Sequence, residues 1–268
     1  MRIKMSLNNE IIEFAKFLAN ESAKITLSFY EKEIEISNKS SKGFDPVTNA
    51  DKGVESLIRD LIKKEFPSHG IIGEEFEDTY LEGEPHWVID PIDGTRAFIL
   101  NIPIWGTLIA YNDGSRPVLG VADFPALGKR YIGYNNKSFD ISGGKNNSIS
   151  SNQNVELEDC VISTTDPLLF NEKEYISFKN LVSLSSKRRF GLDCSGYCLL
   201  ASGKIDLVIE PSLKNYDIQA LIPIIEGSGG IITTWNNEKA YQGGNIIACS
   251  NKRLHSRVIK IINDNEHS

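Results

Sequence analysis

Trp87-Val88-Ile89-Asp90-Pro91-Ile92-Asp93-Gly94-Thr95 is the stretch on which the reading of this chain turns. Three apolar residues form a short strand that runs straight into Asp90. Pro91 makes the interval between Asp90 and Asp93 rigid, and Gly94-Thr95 opens a short helix. Glycine there lets backbone N–H groups approach an anion closely, and a helix N-terminus favours negative charge. A pair of carboxylates and an anion-binding turn therefore stand side by side. A DxxD pair opening a helix is also met as a plain capping face, so the decision rests on what else gathers nearby.

Two more acidic residues lie at element ends. Glu74 follows an apolar strand at residues 70–73, and Asp217 begins a late helix after Lys214-Asn215-Tyr216. Apolar neighbours (Ile71, Ile72, Val88, Ile89, Ile92 and Ile218) would hold all four carboxylates on part-buried scaffolding. Carboxylates clustered in low dielectric repel one another, and they persist as anions when divalent cations sit between them. No histidine or cysteine belongs to the set. An all-oxygen donor set favours hard cations, Mg2+ first, then Mn2+ or Ca2+. Thr95 adds a hydroxyl that can orient water, and Glu74 can accept a proton from it. The reaction class that follows is in-line attack on a phosphate ester between two metals.

The rest of the chain is compatible with that chemistry. Its 268 residues are 40% hydrophobic and 24% charged, enough for a sizeable core in an ordinary globular composition. No apolar run approaches the roughly 18 residues of a membrane span. The net charge of −7 argues against nonspecific binding to nucleic acid or anionic lipid. It also means that an anionic substrate needs cations or amide dipoles to offset the local field. Cys160, Cys194, Cys198 and Cys249 form no CxxC pair, which favours reduced thiols over a zinc site. The N-terminus is basic but has no apolar signal region, so the expected location is cytoplasmic.

Helical periodicity covers residues 8–29 and 54–62. Residues 31–36 alternate like a strand, and 37–44 read as a loop. Strands are expected at 105–111, 118–124 and 130–134, joined by turns at Asn112-Asp113-Gly114 and Ala126-Leu127-Gly128. Further on, strands at 161–164, 205–209, 231–234 and 246–249 alternate with helices at 172–184, 195–202, 217–227 and 254–262. Such alternation predicts α/β layering. An Asn/Ser/Gly-rich stretch at 145–154 marks the expected subdomain boundary. Trp87, Trp105 and Trp235 flank apolar strands and are expected to pack in the interior.

Four blocks together resemble the inositol monophosphatase family of Mg2+-dependent, lithium-sensitive sugar-phosphate phosphatases. They are Asp45-Pro46-Val47-Thr48-Asn49-Ala50-Asp51, Gly73-Glu74-Glu75, the 87–95 stretch, and Tyr216-Asp217-Ile218 with Gly229-Gly230. Tyr216 stands where the family usually has tryptophan and keeps the position aromatic. The resemblance implies a layered αβαβα fold and a homodimer. It also implies an N-terminal α+β subdomain (1–145) with most metal ligands, and a C-terminal α/β subdomain (146–268) with the substrate contacts and one ligand. The site would lie in the cleft between them. By resemblance one metal takes Glu74, Asp90 and the Ile92 carbonyl, and a second takes Asp90, Asp93 and Asp217. A third, weaker ion leans on Glu74 through waters. Thr95 and Glu74 would activate the water, with Asp45 supporting Thr95, while Asp93, Gly94 and Thr95 meet the phosphate.

Finer blocks are similar to the histidinol-phosphatase branch: Arg96-Ala97-Phe98-Ile99 with Pro103-Ile104-Trp105-Gly106-Thr107, Gly191-Leu192-Asp193-Cys194, and Leu213-Lys214-Asn215-Tyr216-Asp217. Asp193 and Glu210 correspond by position to the substrate-facing pair. Histidinol phosphate carries a cationic amine that a carboxylate at Asp193 can pair with. Arg96 reads equally as a phosphate or imidazole contact and as a surface salt-bridge partner. The expected activity is hydrolysis of histidinol phosphate, a step of histidine biosynthesis, on a small phosphorylated metabolite without nucleic acid or membrane. The nearest alternative is an inositol-1-monophosphatase or broad sugar-phosphate phosphatase. An alternative of another class is a non-catalytic regulatory binding protein on this scaffold, for which Lys187-Arg188-Arg189 is the one tight basic cluster.

Overall fold

The computed structural model describes residues 7–30, 36–38 and 46–266. Apolar residues on alternate faces of two sheets build five layers. The first sheet has seven strands in the order β3 (Gly70–Gly73), β4 (His86–Asp93), β5 (Gly106–Asn112), β6 (Pro117–Phe124), β7 (Lys129–Tyr134), β8 (Lys137–Asp140) and β9 (Asn147–Ser148). Only its β3–β4 pair is parallel. The second sheet runs β11 (Lys187–Phe190), β10 (Val161–Thr164), β12 (Leu207–Leu213), β14 (Gly244–Cys249) and β13 (Ile231–Thr234). Here β11, β10 and β12 are parallel, and β14 runs antiparallel to both of its neighbours, β12 and β13. A separate two-stranded ribbon pairs β1 (Ile36–Asn38) with β2 (Pro46–Thr48).

The period of two along each strand sorts the side chains between layers. Ile71, Trp87, Ile89, Ile109 and Tyr111 face α1 (Asn9–Phe29) and α2 (Asn49–Glu65), where they meet Leu18, Ile58 and Ile62. Their neighbours Ile72, Val88, Leu108 and Ala110 point the other way, into a middle layer. That layer holds α5 (Cys194–Ala201), α6 (Asn215–Ile218) and α7 (Leu221–Gly227), and its far side is closed by Val208, Ile246 and Ala248 of the second sheet. The outer face of that sheet, with Leu207, Ile247 and Cys249, packs on α4 (Glu172–Leu184) and α8 (Lys252–Glu266). Both faces of both sheets are thus covered by helices, which is why their central strands read as continuous apolar runs. The result is the layered αβαβα arrangement.

All three tryptophans are buried, as their apolar flanks predict. Trp87 is ringed by Phe14, Phe66 and Tyr111 at centroid distances of 5.5, 6.1 and 5.1 Å. The four cysteines are buried free thiols. Among the described residues no helix is long and apolar enough to cross a membrane.

Two local readings need correction. The helix expected over 217–227 is two helices, α6 and α7, because Pro223 has no N–H to offer the carbonyl of Gln219. The strand carrying Asp90 does not stop there; β4 runs on to Asp93, with a register shift between the two aspartates that bends the ladder. Lys187-Arg188-Arg189, to which no element was assigned, lies on the exposed edge strand β11, where charge discourages pairing with other chains. Of residues 31–44, only 36–38 are described, and they form β1.

Candidate active site

The site forms where the first sheet meets the middle layer. Glu74 follows β3 directly. Asp90 and Asp93 come from β4 on either side of its register shift, so both carboxylates turn toward the same region. Asp217 arrives from α6, held by a hydrogen bond from the Lys214 backbone N–H to its Oδ2 at 2.6 Å. One buried bond ties that segment to the first sheet: Asn112 Nδ2 donates to Gln219 Oε1 at 3.0 Å. Carboxylate oxygens of Asp90, Asp93 and Asp217 all lie within 4.8 Å of one another. Glu74 adjoins Asp90 from outside this group of three.

The electrostatics of the cluster are severe. Burial holds the Asp90 carboxyl well above the usual carboxylate range, and the charges of Glu74, Asp93, Asp217 and Asp51 push the same way. Asp93 is raised by burial, then by Asp193 and Asp217, against hydrogen bonds from Cys194. One of those bonds is the Cys194 backbone N–H to Asp93 Oδ2 at 2.7 Å. Burial also lifts Asp217, to about 6. Asp90 Oδ1 is buried with no hydrogen-bond partner. A buried carboxylate oxygen is ordinarily paired or ligates a metal. Three clustered carboxylates, one with an orphaned oxygen and none with a cationic side chain bonded to it among the described residues, fit a hard divalent cation.

Gly94 follows at φ 79°, a left-handed conformation that suits glycine, and leads into α3 (Thr95–Ile99). The turn is closed by Thr95 Oγ1 donating to the Ile92 carbonyl at 3.1 Å. A Cβ on Gly94 would come within 3.1 Å of Asp193 Oδ2, so the bare glycine also lets the Asp193 carboxylate close over the turn. Asp193 itself sits at φ 47°, just before α5. Burial raises its pKa, while the nearby Arg96 charge opposes that.

A cavity of about 150 Å³ lies at the aspartate cluster. Asp93 and Asp217 line it together with Asp193 and Glu210, and Tyr197 and Leu169 complete it. Glu210 is fully enclosed at the end of its apolar run on β12. Its Oε1 accepts from the Thr165 N–H at 2.9 Å and the Thr165 hydroxyl at 2.6 Å, and its Oε2 accepts from Tyr197 at 3.4 Å. Burial still lifts its pKa to about 7.

The residues singled out from sequence therefore meet, with two exceptions. Arg96 is exposed, and its Nη1 lies 3.9 Å from Asp166 Oδ2 rather than lining the cavity. Asp45 lies outside the described residues. Sequence reasoning missed Thr165, which anchors Glu210, and the Cys194 amide, which anchors Asp93. Neither carries a local signal, since each bond spans 45 or more positions. Asp51, given no role of its own in the 45–51 block, acts on Asp90 through its charge.

A helix-covered pair of sheets with a carboxylate cluster at the head of an anion-binding turn defines a phosphatase that acts on phosphoric monoesters. The chain belongs to the inositol monophosphatase family, whose profile matches residues 7–267. It is 35% identical over 254 residues to the chloroplastic bifunctional phosphatase IMPL2 of Arabidopsis thaliana, covering 91% of this chain and 72% of that protein. It is 29% identical over 264 residues to a histidinol-phosphatase of Chlorobaculum parvum, covering 95% and 97%. An inositol monophosphatase from Zymomonas mobilis, 34% identical, superposes with a TM-score of 0.85 over 97% of this chain and 100% of its own.

Proposed function

We propose that the protein hydrolyses histidinol phosphate to histidinol and phosphate with Mg2+, Mn2+ being a possible substitute. The observation that carries this reading is a small cavity lined by Asp193 and Glu210 as well as by Asp93 and Asp217. A phosphate ester of a cationic amine is a substrate with an anionic end for the metals and a cationic end for Asp193 and Glu210. An uncharged polyol ring would bring no charge to the buried Glu210 carboxylate, which is costly.

Two to three ions would be held by Glu74, Asp90, Asp93, Asp217 and the Ile92 carbonyl. When bound, they supply the positive charge that draws and polarises the ester. The chain's own groups do the rest. The Gly94 and Thr95 amides, beside Asp93, orient the phosphate. The Thr95 hydroxyl, fixed on the Ile92 carbonyl, positions the attacking water, and Glu74 takes its proton. Asp45 supports Thr95. Asp193 and Glu210 pair with the amine, while Arg96, exposed outside the cavity, acts on Asp193 through its charge. We further read the protein as a cytoplasmic homodimer whose halves, 1–145 and 146–268, meet at the site; its four buried free thiols suit a reducing compartment.

Phosphate release from histidinol phosphate and from inositol 1-phosphate at equal Mg2+ tests the proposal. A clear preference for histidinol phosphate is expected. Equal or inverted preference would replace it with a broad sugar-phosphate or inositol monophosphatase. Asp193→Asn should lower kcat/KM for histidinol phosphate by more than tenfold, about the 2 kcal/mol of a charge-assisted hydrogen bond, and spare an aryl phosphate. A parallel loss on both substrates would exclude an amine contact.

A further inference from the structure

On α2, outside the cavity lining, lies a charged pair that the chemistry above leaves unused. Glu55 is fully buried and Arg59 only 5% exposed. Arg59 Nε donates to Glu55 Oε1 at 2.8 Å. The pair's remaining bonds do not go to its own helix. Glu55 Oε2 accepts from the Glu75 backbone N–H at 2.8 Å, and Arg59 Nη2 donates to the Phe76 carbonyl at 3.1 Å. The guanidinium also sits 5.8 Å from the centre of the Phe76 ring. Two successive residues of the turn after β3 are thus gripped by one ion pair, and the residue just before them is Glu74.

The other side of the turn is fitted to the same pair. A Cβ on Gly73 would lie 2.1 Å from Glu55 Oε1, so only glycine lets the carboxylate reach the Glu75 amide. Glu74 is therefore flanked by a residue shaped around Glu55 and a residue bonded to it. An isolated buried ion pair gives little net stability. One that bonds two successive residues of a single turn instead fixes where that turn lies.

We propose that the Glu55–Arg59 pair is a positioning device that holds Glu74 against the aspartate cluster and so sets how tightly the site takes its divalent cations. The proposal rests on the reading of Glu74 as a metal ligand. Groups bonded behind a ligand typically change metal affinity about 10- to 100-fold when removed.

Removing either charge outright would strand its partner in the interior, so the first test is Arg59→Lys. It keeps the charge, but a single ammonium cannot hold Glu55 and the Phe76 carbonyl in one fork. The second is Gly73→Ala, which leaves both charges in place and displaces the Glu55 carboxylate. Glu74→Gln is the comparator. Mn2+ binding is read directly by the loss of free-ion EPR signal, and Mg2+ dependence by aryl phosphate turnover. Circular dichroism confirms that each variant is folded. Both α2-pair variants should need about tenfold more metal for half-saturation in both readouts. KM for the ester at saturating metal should stay where it is in the parent. Normal metal binding in a folded Arg59→Lys or Gly73→Ala, with Glu74→Gln impaired, would overturn the positioning role alone. Normal metal binding in Glu74→Gln would overturn the ligand reading beneath it.

Discussion

Asp90 is the residue on which the electrostatics of the site converge. Burial and four neighbouring carboxylates all raise its pKa, and one of its oxygens has no partner. A carboxyl raised in the folded state favours folding at pH values below its unfolded pKa, and that advantage is lost as pH rises. In chelator at pH 8, Asp90→Asn should therefore be more stable than the parent and melt at a higher temperature. The gap should close near pH 4. The same substitution should lower hydrolysis more than about a hundredfold, since a carboxylate proposed to hold the metal is gone. Scanning calorimetry and phosphate release check the two halves; a variant destabilised at pH 8 would mean that Asp90 is satisfied without metal. Glu210 makes a separate prediction. With a pKa near 7 it is mostly neutral at pH 6 and mostly ionised at pH 8. The ratio of kcat/KM for histidinol phosphate to that for an aryl phosphate should rise across this interval in the parent. It should be flat in Glu210→Gln, which keeps an oxygen for the Thr165 donors.

Among the elements, the turn between β4 and α3 carries the finest constraint. Gly94 is left-handed, and a Cβ there would press on the Asp193 carboxylate. Gly94→Ala should cost about 1–2 kcal/mol from backbone strain, a Tm loss of about 2–8 °C. It should lower kcat at the same time, because the amides behind the phosphate shift together with Asp193. Melting and turnover measured on one preparation check this; an unchanged kcat would remove the turn from phosphate binding. This turn was legible from residues 90–95 because strand, proline, glycine and threonine are adjacent and each has a local conformational preference. Asp217 was legible by its place at a helix start, and the five layers by strand periodicity and family resemblance. What was not legible depends on distance along the chain. The extension of β4 past Asp90 comes from its pairing with Gly106 across the sheet. The anchoring of Glu210 by Thr165 follows from two parallel strands, β10 and β12, whose register brings the end of β10 beside Glu210. The strand at Lys187–Phe190 was not legible because an exposed edge strand has no apolar alternation to announce it.

At the scale of the molecule, the aspartates make the fold and the metal response one problem. Asp90 and Asp93 belong to the seven-stranded sheet, Asp217 to the helical layer that separates it from the other sheet. Without cations their charges push these layers apart, while the Asn112–Gln219 bond and the shared apolar interior hold them together. A cation that bridges the carboxylates binds only the folded arrangement, so it must stabilise the whole protein by mass action. At a concentration one hundred times its Kd the gain is about 2.7 kcal/mol, or about 5–11 °C in Tm for a chain of this size. Adding Mg2+ or Mn2+ to chelator-treated protein should produce that rise, saturating with the same midpoint as hydrolysis. Asp217→Asn should abolish most of it, because the layers are then no longer joined through the ion. A melting temperature indifferent to both metals in the parent would mean that the aspartates meet without caging an ion, and hydrolysis would have to proceed by other groups.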